Sequence, residues 1–444
     1  MRAFFLLLLA ALTVGAASSE IDLLEEAAPS FVAWDKVRPS VAELQAGPTI
    51  TLEEALQRAI DSNPDLQTAS WQVRQGIAAI WQGSLVPNPN LYVAVSDVLG
   101  SRPYQWFDLW ELDVQLTKQI ETAGKRCRRI DVATAQSQLD KFAWISKALD
   151  VCQLVTKAYI DLLMAQQLLP VEQRLYELSV EVVEINKSKQ GTPEHADTLG
   201  VERVRAEVIA IQNRVVYEQA ITRLERAKQA LAATWGTTEI DFGVAEGALK
   251  PTPAIPQLDE VLPLIEDNPD IMRWGMERNL AQQQWRQQRA LAVPDLFLGA
   301  EFEFDRFPRA FSWEFSATFD LPVCNRNQGN IAKSVYQITK TEEEYRSNYT
   351  MIGTQLETAQ EDLALASLVA QLLNQDAIPR AEDAFVAARN GFESGTVGYL
   401  TLINTQQTLS QAEIDAIKAL GRAHKARADL DRLIGLCVGK IPFR

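Results

Sequence analysis

The sequence predicts a mostly helical chain, built as a tandem duplication, in which each half also carries two β-strands. Three observations lead there. Asn63-Pro64-Asp65 returns as Asn268-Pro269-Asp270, and Pro89 and Gly124 return as Pro294 and Gly329, all 205 residues on. Gly191-Thr192 returns as Gly395-Thr396 after 204 residues. Between these landmarks, long helical stretches frame short segments whose apolar and polar residues alternate strictly, the period of a strand. Units of this length are too long for solenoid repeats.

Composition narrows the class. The chain has 444 residues, room for two to three ordinary domains or one long architecture. Lys and Arg number 43 against 58 Asp and Glu, a net charge of −15, which argues against nucleic acid as a partner. Mean hydropathy is −0.11, and beyond the N-terminus no apolar run reaches about 18 residues, so a polytopic helical membrane protein is excluded.

At the N-terminus, Met1-Arg2, the apolar Ala3 to Val14 and the small Gly15-Ala16-Ala17 read as a secretory signal over 1–17. No Cys follows it, so an acylated N-terminus is not expected. Residues 18–50 form an N-terminal extended segment of weak periodicity, expected to wrap the helical part. The first repeat then covers 51–250, the second 251–436, and 437–444 is a C-terminal tail.

Each half follows one grammar. Thr51-Leu52-Glu53-Glu54 is a capping box that starts a helix over Leu52 to Asp61. After Asn-Pro-Asp, helices run over Leu66 to Leu85 and Ile271 to Ala292, ended by Pro87 and Pro89 or by Pro294. Two strands follow, then a long helix from about Gly124 to Lys189 that turns at Gly191-Thr192-Pro193 and returns to Trp235. In the second half it runs from about Gly329 to Asn390, turns at Gly391 to Gly395 and returns to Leu436. Pro170 and Pro379 should kink or break the outgoing helices. Unbroken, ~60 residues would make a rod ~90 Å long.

The strands carry the sharpest signal. Phe311, Trp313, Phe315, Ala317, Phe319 and Leu321 alternate with Ser312, Glu314, Ser316, Thr318 and Asp320. Leu296, Leu298, Ala300, Phe302 and Phe304 alternate with Phe297, Gly299, Glu301, Glu303 and Asp305. The first half is less regular, with Leu91, Val93 and Val95, then Trp106, Trp110, Leu112, Val114 and Leu116. A half-buried soluble sheet would alternate too, but would not need so many aromatics on one face. Ten-residue strands of this kind fit transmembrane β-strands. Hydrocarbon tolerates no open sheet edge, and a barrel needs about eight strands, so subunits must pool theirs. Two chains would give eight strands and three would give twelve.

The order helix, strand, strand, long helix, long helix, duplicated, resembles the TolC-like outer-membrane factors, in particular the CzcC/CusC-like cation-efflux branch. The resemblance spans Thr51 to Gly435. Leu321-Pro322-Val323-Cys324-Asn325-Arg326-Asn327-Gln328-Gly329-Asn330-Ile331 is similar to that branch's Leu-Pro-Leu-Phe-x-Arg-Asn-Gln-Gly-x-Ile. Glu121-Thr122-Ala123-Gly124-Lys125-Arg126 is similar to its Glu-x-Gly-Gly-Lys-Arg, with Ala123 replacing a Gly. Arg389 to Gly395, with Leu400, Leu402 and Gln406, matches its helix-tip pattern. The resemblance implies a homotrimer with a twelve-stranded β-barrel in the bacterial outer membrane above an α-helical periplasmic barrel. It implies a passive exit duct, engaged at its tips by a periplasmic adaptor and an inner-membrane pump, for metal cations or small toxic compounds. No enzyme activity, cofactor or resident metal is expected. The residues agree: His195 and His424 are scattered, and neither a metal-ligand spacing nor a P-loop or dinucleotide fingerprint occurs.

Three sites follow. Glu111, Asp113, Glu301, Glu303, Asp305, Glu314 and Asp320 are expected to face the pore or lie at its rims, opposite lipid-facing Trp106, Trp110, Phe302, Phe304, Phe311, Trp313 and Phe315. Such rings favour cations or simply keep the lumen wet. The periplasmic tips and adaptor contact are placed at Gly191, Thr192, Gly391, Phe392, Gly395, Val397, Gly398, Thr401 and Asn404. Thr401 and Asn404 stand where the family prototype gates with carboxylates, which puts a carboxylate gate in doubt here. Gly124, Lys125, Arg126, Asn327 and Gly329 mark the barrel–helix junction, where Lys125, Arg126, Arg128 and Arg129 are expected to meet lipid headgroups, a neighbouring subunit or plain solvent. An exported chain meets an oxidising compartment. Cys127 and Cys152, ~37 Å apart along one helix, cannot bond. Most of the four thiols are expected to be buried and free, and a Cys127–Cys324 bridge stays open. A periplasmic scaffold or adaptor, an exported hydrolase, and a duct for drugs or secreted protein are the competing readings.

Overall fold

The computed structural model describes residues 45–102, 104, 107–188, 196–249 and 255–437. The predicted signal, most of segment 18–50, Trp106, the tip residues Gly191 and Thr192, and His195 lie outside them, as do residues 438–444.

Strand β1 (Thr49–Ile50) leads into α1 (Leu52–Ser62) and α2 (Pro64–Ser84). The capping box forms: Glu54 N donates to Thr51 Oγ1 and Thr51 N to Glu54 Oε2, both at 3.1 Å. Strands β2 (Asn90–Ser96) and β3 (Glu111–Ile120) precede α3 (Lys125–Ser188) and α4 (Ala196–Ala233). The two-residue β4 (Val244–Ala245) pairs in parallel with β1 and closes the first repeat. The second repeat opens on a four-residue α5 (Leu258–Val261) and a 3₁₀ turn, Leu262–Asp267, with Pro263 near its start. Helix α6 (Pro269–Leu291), strands β5 (Leu296–Asp305) and β6 (Ala310–Phe319), and helices α7 (Gln328–Leu372), α8 (Ile378–Glu393) and α9 (Tyr399–Leu433) complete it.

The recurring Asn-Pro-Asp has one structural role in both halves. Asn63 caps α2 by accepting from Leu66 N at 2.9 Å, and its Nδ2 donates to Thr234 O at the end of α4 at 2.6 Å. Asn268 caps α6 through Asp270 N at 2.7 Å and donates to Leu433 O at the end of α9 at 2.6 Å. Each proline abuts a left-handed glycine that ends the returning helix: Gly236, φ 82°, against Pro64, and Gly435, φ 75°, against Pro269. A Cβ on Gly236 would fall 2.8 Å from the Pro64 ring, so this close approach requires glycine. The motif therefore clasps the helix it caps to the last helix of its own repeat.

The prolines behave differently from one another. Helix α3 passes through Pro170 as one 64-residue element, ~96 Å long. Leu168, Leu169 and Val171 around it are buried, Leu168 and Val171 against Ile414 of α9, and this packing holds the helix where the missing N–H alone would end it. Pro379 does mark an interruption: a π-helical turn, Leu373–Ala377, separates α7 from α8, and Ile378 N donates to Leu373 O. Gly124 and Gly329 share a sequence register without sharing a conformation, since Gly124 is left-handed ahead of α3 whereas Gly329 lies inside α7.

The main core joins α1, α3 and α4, with Leu56, Leu162, Leu224 and Leu231 at most 1 % exposed. Each such side chain contributes about 1.5–3 kcal/mol by leaving water. A second cluster packs Val261 and Ile265 against Leu356 and Leu363 of α7 and Leu430 of α9. Contacts of α3 with α2, α4, α6 and α9 bind the two repeats into one bundle. No described helix is long and apolar enough to cross a membrane.

Candidate functional site

The two strand pairs form one antiparallel sheet of order β2-β3-β5-β6, joined across the repeats by β3 and β5. Its register sorts side chains by face. On one face Glu111 lies opposite Asp305, Asp113 opposite Glu303, and Glu301 opposite Glu314. Six carboxylates thus make three directly opposed like-charge pairs, an arrangement that disfavours the sheet by about 0.2–1 kcal/mol per pair. Because β3 runs into α3 and β5 departs from α6, the Glu111–Asp305 pair sits at the end of the sheet far from the helices. Glu111, Glu303 and Asp305 each place one carboxylate oxygen within 4.8 Å of the others. Gln115 Nε2 donates to Glu301 Oε2 at 2.9 Å and Ser312 Oγ to Glu303 Oε2 at 3.1 Å. Towards the helices this face becomes neutral, with Thr117, Gln119, Ser316 and Thr318. Asp320 lies just past the end of β6, at the helix-side rim of the sheet and apart from the other six carboxylates.

The opposite face carries Val93, Val95, Leu112, Val114, Phe302, Phe304, Phe311, Trp313 and Phe315. Phe302 sits 5.3 Å from Trp313 and 6.1 Å from Phe311, and Trp110 sits 5.5 Å from Phe304 (ring centroids). Phe315 is 78 % exposed. Among the described residues, edge strands β2 and β6 each have a single partner.

At the junction the basic residues bind their own chain. Lys125 Nζ donates to Asp295 Oδ1 at 2.7 Å with both side chains nearly buried. Thr122 N and Gln119 Nε2 donate to the same carboxylate at 3.0 and 2.8 Å. Burial pulls the Asp295 carboxyl upward, but Lys125, Thr122 and Gln119 outweigh it and hold the carboxyl below its ordinary value. Arg129 pairs with Glu121, which raises the guanidinium's already high value, and donates to Gly83 O and Leu85 O at the end of α2. Arg128 pairs with Asp131. Headgroups or a neighbouring subunit, expected to meet this cluster, are therefore not needed as partners for Lys125, Arg128 or Arg129; Arg126 is exposed. Ala123, φ 51°, precedes Gly124, φ 66°, so the alanine occupies a left-handed position. Asn327, φ 57°, ties the start of α7 to α6 through Nδ2 to Gln288 O at 2.8 Å.

The tip of the α8–α9 hairpin is built on two glycines. Gly391 O accepts from Thr396 N at 2.8 Å and Val397 N at 3.1 Å, and a Cβ on Gly391 would meet Val397 Cγ2 at 2.5 Å. Gly395 takes φ 75°. Phe392, Leu400, Tyr399 and Ile403 pack against Val182 and Val183 of α3 and Ala206 of α4, so the hairpins of both repeats meet near this end. Gly398, Thr401 and Asn404 are exposed. The buried Tyr399 and Ile403 carry no local sequence signal of this contact.

Comparison with known proteins bears on the same features. The outer membrane efflux protein family matches residues 263–436. The chain is 28 % identical to the cobalt-zinc-cadmium resistance protein CzcC of Cupriavidus metallidurans over 390 residues, 88 % of this chain and 91 % of that one. The chain resembles the outer membrane efflux proteins over most of its length. The Campylobacter jejuni CmeC outer membrane channel shares its fold at a TM-score of 0.72 with 14 % identity, over 86 % of this chain and 85 % of that one. CusC, described through its folding and transmembrane channel formation, does so at 0.68 with 14 % identity, over 87 % and 92 %. The chain has the TolC-like fold of these outer membrane channels. The proteins it resembles are transport channels. Of the four thiols, Cys127 and Cys324 are both exposed, against the expectation of mostly buried cysteines, and no bridge joins them.

Proposed function

We propose that this protein is the outer-membrane exit duct of a tripartite efflux system and that it passes metal cations. The observation that carries the cation preference is the register of the acidic face, where six carboxylates oppose one another in three pairs. Such pairs cost stability in isolation, and cations drawn to them offset that cost. The relative CzcC, whose name gives cobalt, zinc and cadmium resistance, points the same way.

A homotrimer completes the sheet. The four-stranded sheet leaves β2 and β6 as open edges among the described residues, which hydrocarbon does not tolerate. Three chains pair edge to edge into a twelve-stranded barrel, with the aromatic face towards lipid and the carboxylates around the outer mouth. Trp71 and Trp81 on α2, and Val204, Val208, Ile211 and Val215 on α4, are exposed apolar residues available to helix contacts between subunits. The helix tips meet the periplasmic adaptor, and energy comes from an inner-membrane pump.

Permeability in a planar bilayer tests the cation preference. Converting Glu111, Glu301, Glu303 and Glu314 to Gln and Asp113 and Asp305 to Asn should lower the K⁺/Cl⁻ permeability ratio several-fold. An unchanged ratio leaves an acidic face that only wets the pore. A deletion strain that keeps full tolerance to cobalt, zinc and cadmium but gains sensitivity to organic toxicants would reassign the cargo to drugs. Crosslinking from Thr401→Cys to the adaptor tests the tip, and no crosslink there removes the contact.

A further inference from the structure

Two cysteines distant in sequence meet in the core. Cys152 sits in α3, 3 % exposed, within the main cluster that joins α1, α3 and α4. Cys437 packs against that same cluster. It gets there because α9 ends in a left-handed turn: Leu436 N donates to Asp431 O at 2.8 Å and Gly435 N to Arg432 O at 3.2 Å, which folds the following chain back onto the bundle. Cys437, assigned to a C-terminal tail by the sequence pattern, is thus a core contact. Both are free thiols in this structure, at the same cluster and near enough for each to shift the other's titration.

We propose that Cys152 and Cys437 form a disulfide in the mature protein, pinning the end of the second repeat to the long helix of the first. This rests on the proposed outer-membrane residence, which takes the chain through an oxidising compartment where adjacent thiols close. The oxidant is a disulfide-donor protein or small disulfide. Cys437 is partly exposed, and the neighbouring Cys152 draws its thiol down against the effect of burial. Cys437, and burial after it, push the Cys152 thiol up. Cys437 Sγ, as thiolate, attacks the donor disulfide, forming a mixed disulfide and releasing one donor thiol. Cys152 Sγ then attacks Cys437 Sγ, closing the bond and releasing the second donor thiol. The two protons lost by the chain end on the donor's two thiols, and the donor takes the two electrons. Cys127 and Cys324, both exposed, stay reduced.

Thiol counting on protein isolated from the envelope, with an alkylating agent added at lysis and again after denaturation, tests this independently of transport. In the variant Cys127→Ser/Cys324→Ser, whose changes are on the surface, no thiol should react before reduction and two should react after it. Trypsin should release Ala148–Lys157 joined to Leu433–Lys440, lighter than the two peptides together by two hydrogen atoms. Two reactive thiols per chain without reduction would overturn the proposal, as would their loss through a covalent dimer. Adding Cys437→Ser to that variant should restore one reactive thiol, and its absence would place the oxidation elsewhere.

Discussion

Leu56, Leu162, Leu224 and Leu231 in the helical rods are all but sealed from solvent by their own chain, whereas Leu91, Trp313, Phe315 and Phe319 in the sheet are more than half exposed. Ion pairs divide in the same way. Glu172 in α3 meets Arg223 in α4 at 3.2 Å, while every carboxylate within β3, β5 and β6 faces another carboxylate across the strands. The rods satisfy their groups internally. In the proposed barrel the sheet leaves its apolar face to lipid and its acidic face to water and counter-ions. The two regions therefore obey different solvents, and the residues between them decide how firmly they are joined.

Breaking that joint should have the largest effect. Lys125→Ala removes the partner of a nearly buried carboxylate, and an uncompensated buried charge costs about 3–5 kcal/mol. Arg346→Ala, which breaks an exposed pair with Glu343 on α7, should cost at most about 1 kcal/mol. Denaturation midpoints of the purified protein in detergent compare them. Because the Asp295 carboxyl is held below its ordinary value, its contribution is complete above the unfolded value near about 3.9 and disappears as pH falls through the lower native value. The stability difference between Lys125→Ala and the parent should accordingly shrink below about pH 4, and a difference constant with pH would remove Asp295 from the account.

Next in size is a charge placed on each exposed apolar surface. Phe315→Arg puts a cation mid-strand on the proposed lipid face, where about 2–4 kcal/mol is expected. Tyr336→Arg on α7 changes a comparably exposed aromatic, and a surface change there should stay within about 0.5 kcal/mol. Thermal unfolding and yield of folded protein from the outer membrane measure both. Equal effects would erase the distinction between the surfaces.

Ala123→Gly should strengthen the joint. The left-handed backbone costs an L-residue about 1–2 kcal/mol, part of which glycine returns as lost chain entropy, so a gain of about 1 kcal/mol is expected. The same change at Ala148, buried inside α3, should destabilise. No gain at position 123 would show that this turn is not strained.

Ala123 also marks what was legible from sequence and what was not. Its departure from a Gly-Gly pattern is local and visible, as are the capping box at Thr51, the Asn-Pro-Asp breaks and the period of β6. The destinations of those groups are not visible. Asn63 reaches Thr234, Asp295 reaches Lys125, and Cys152 reaches Cys437 across 170 residues or more, and sequence period carries no information on pairing at such separation. Pro170 failed as a helix breaker for the same reason, because contacts from α9 outweigh a local preference. Alternation assigned the carboxylates to one face, but only register shows that they oppose one another, and that Asp320 stands apart.

The smallest effect is also the one with reversed sign. Glu314→Gln turns the Glu301–Glu314 pair into a charge–amide pair of the kind Gln115 and Glu301 already make, and should stabilise the sheet by about 0.2–1 kcal/mol. Glu172→Gln in the rods removes a partner of Arg223 and should destabilise. The gain at Glu314 comes from relieved repulsion across water, so it should fade as ionic strength rises from about 0.01 M to 1 M and the screening length drops from about 30 Å to 3 Å. A gain independent of salt would assign it to packing. A loss at every salt concentration would mean that the paired carboxylates hold a cation tightly enough to serve as structure, and the acidic face would then differ from the rods in counter-ion alone.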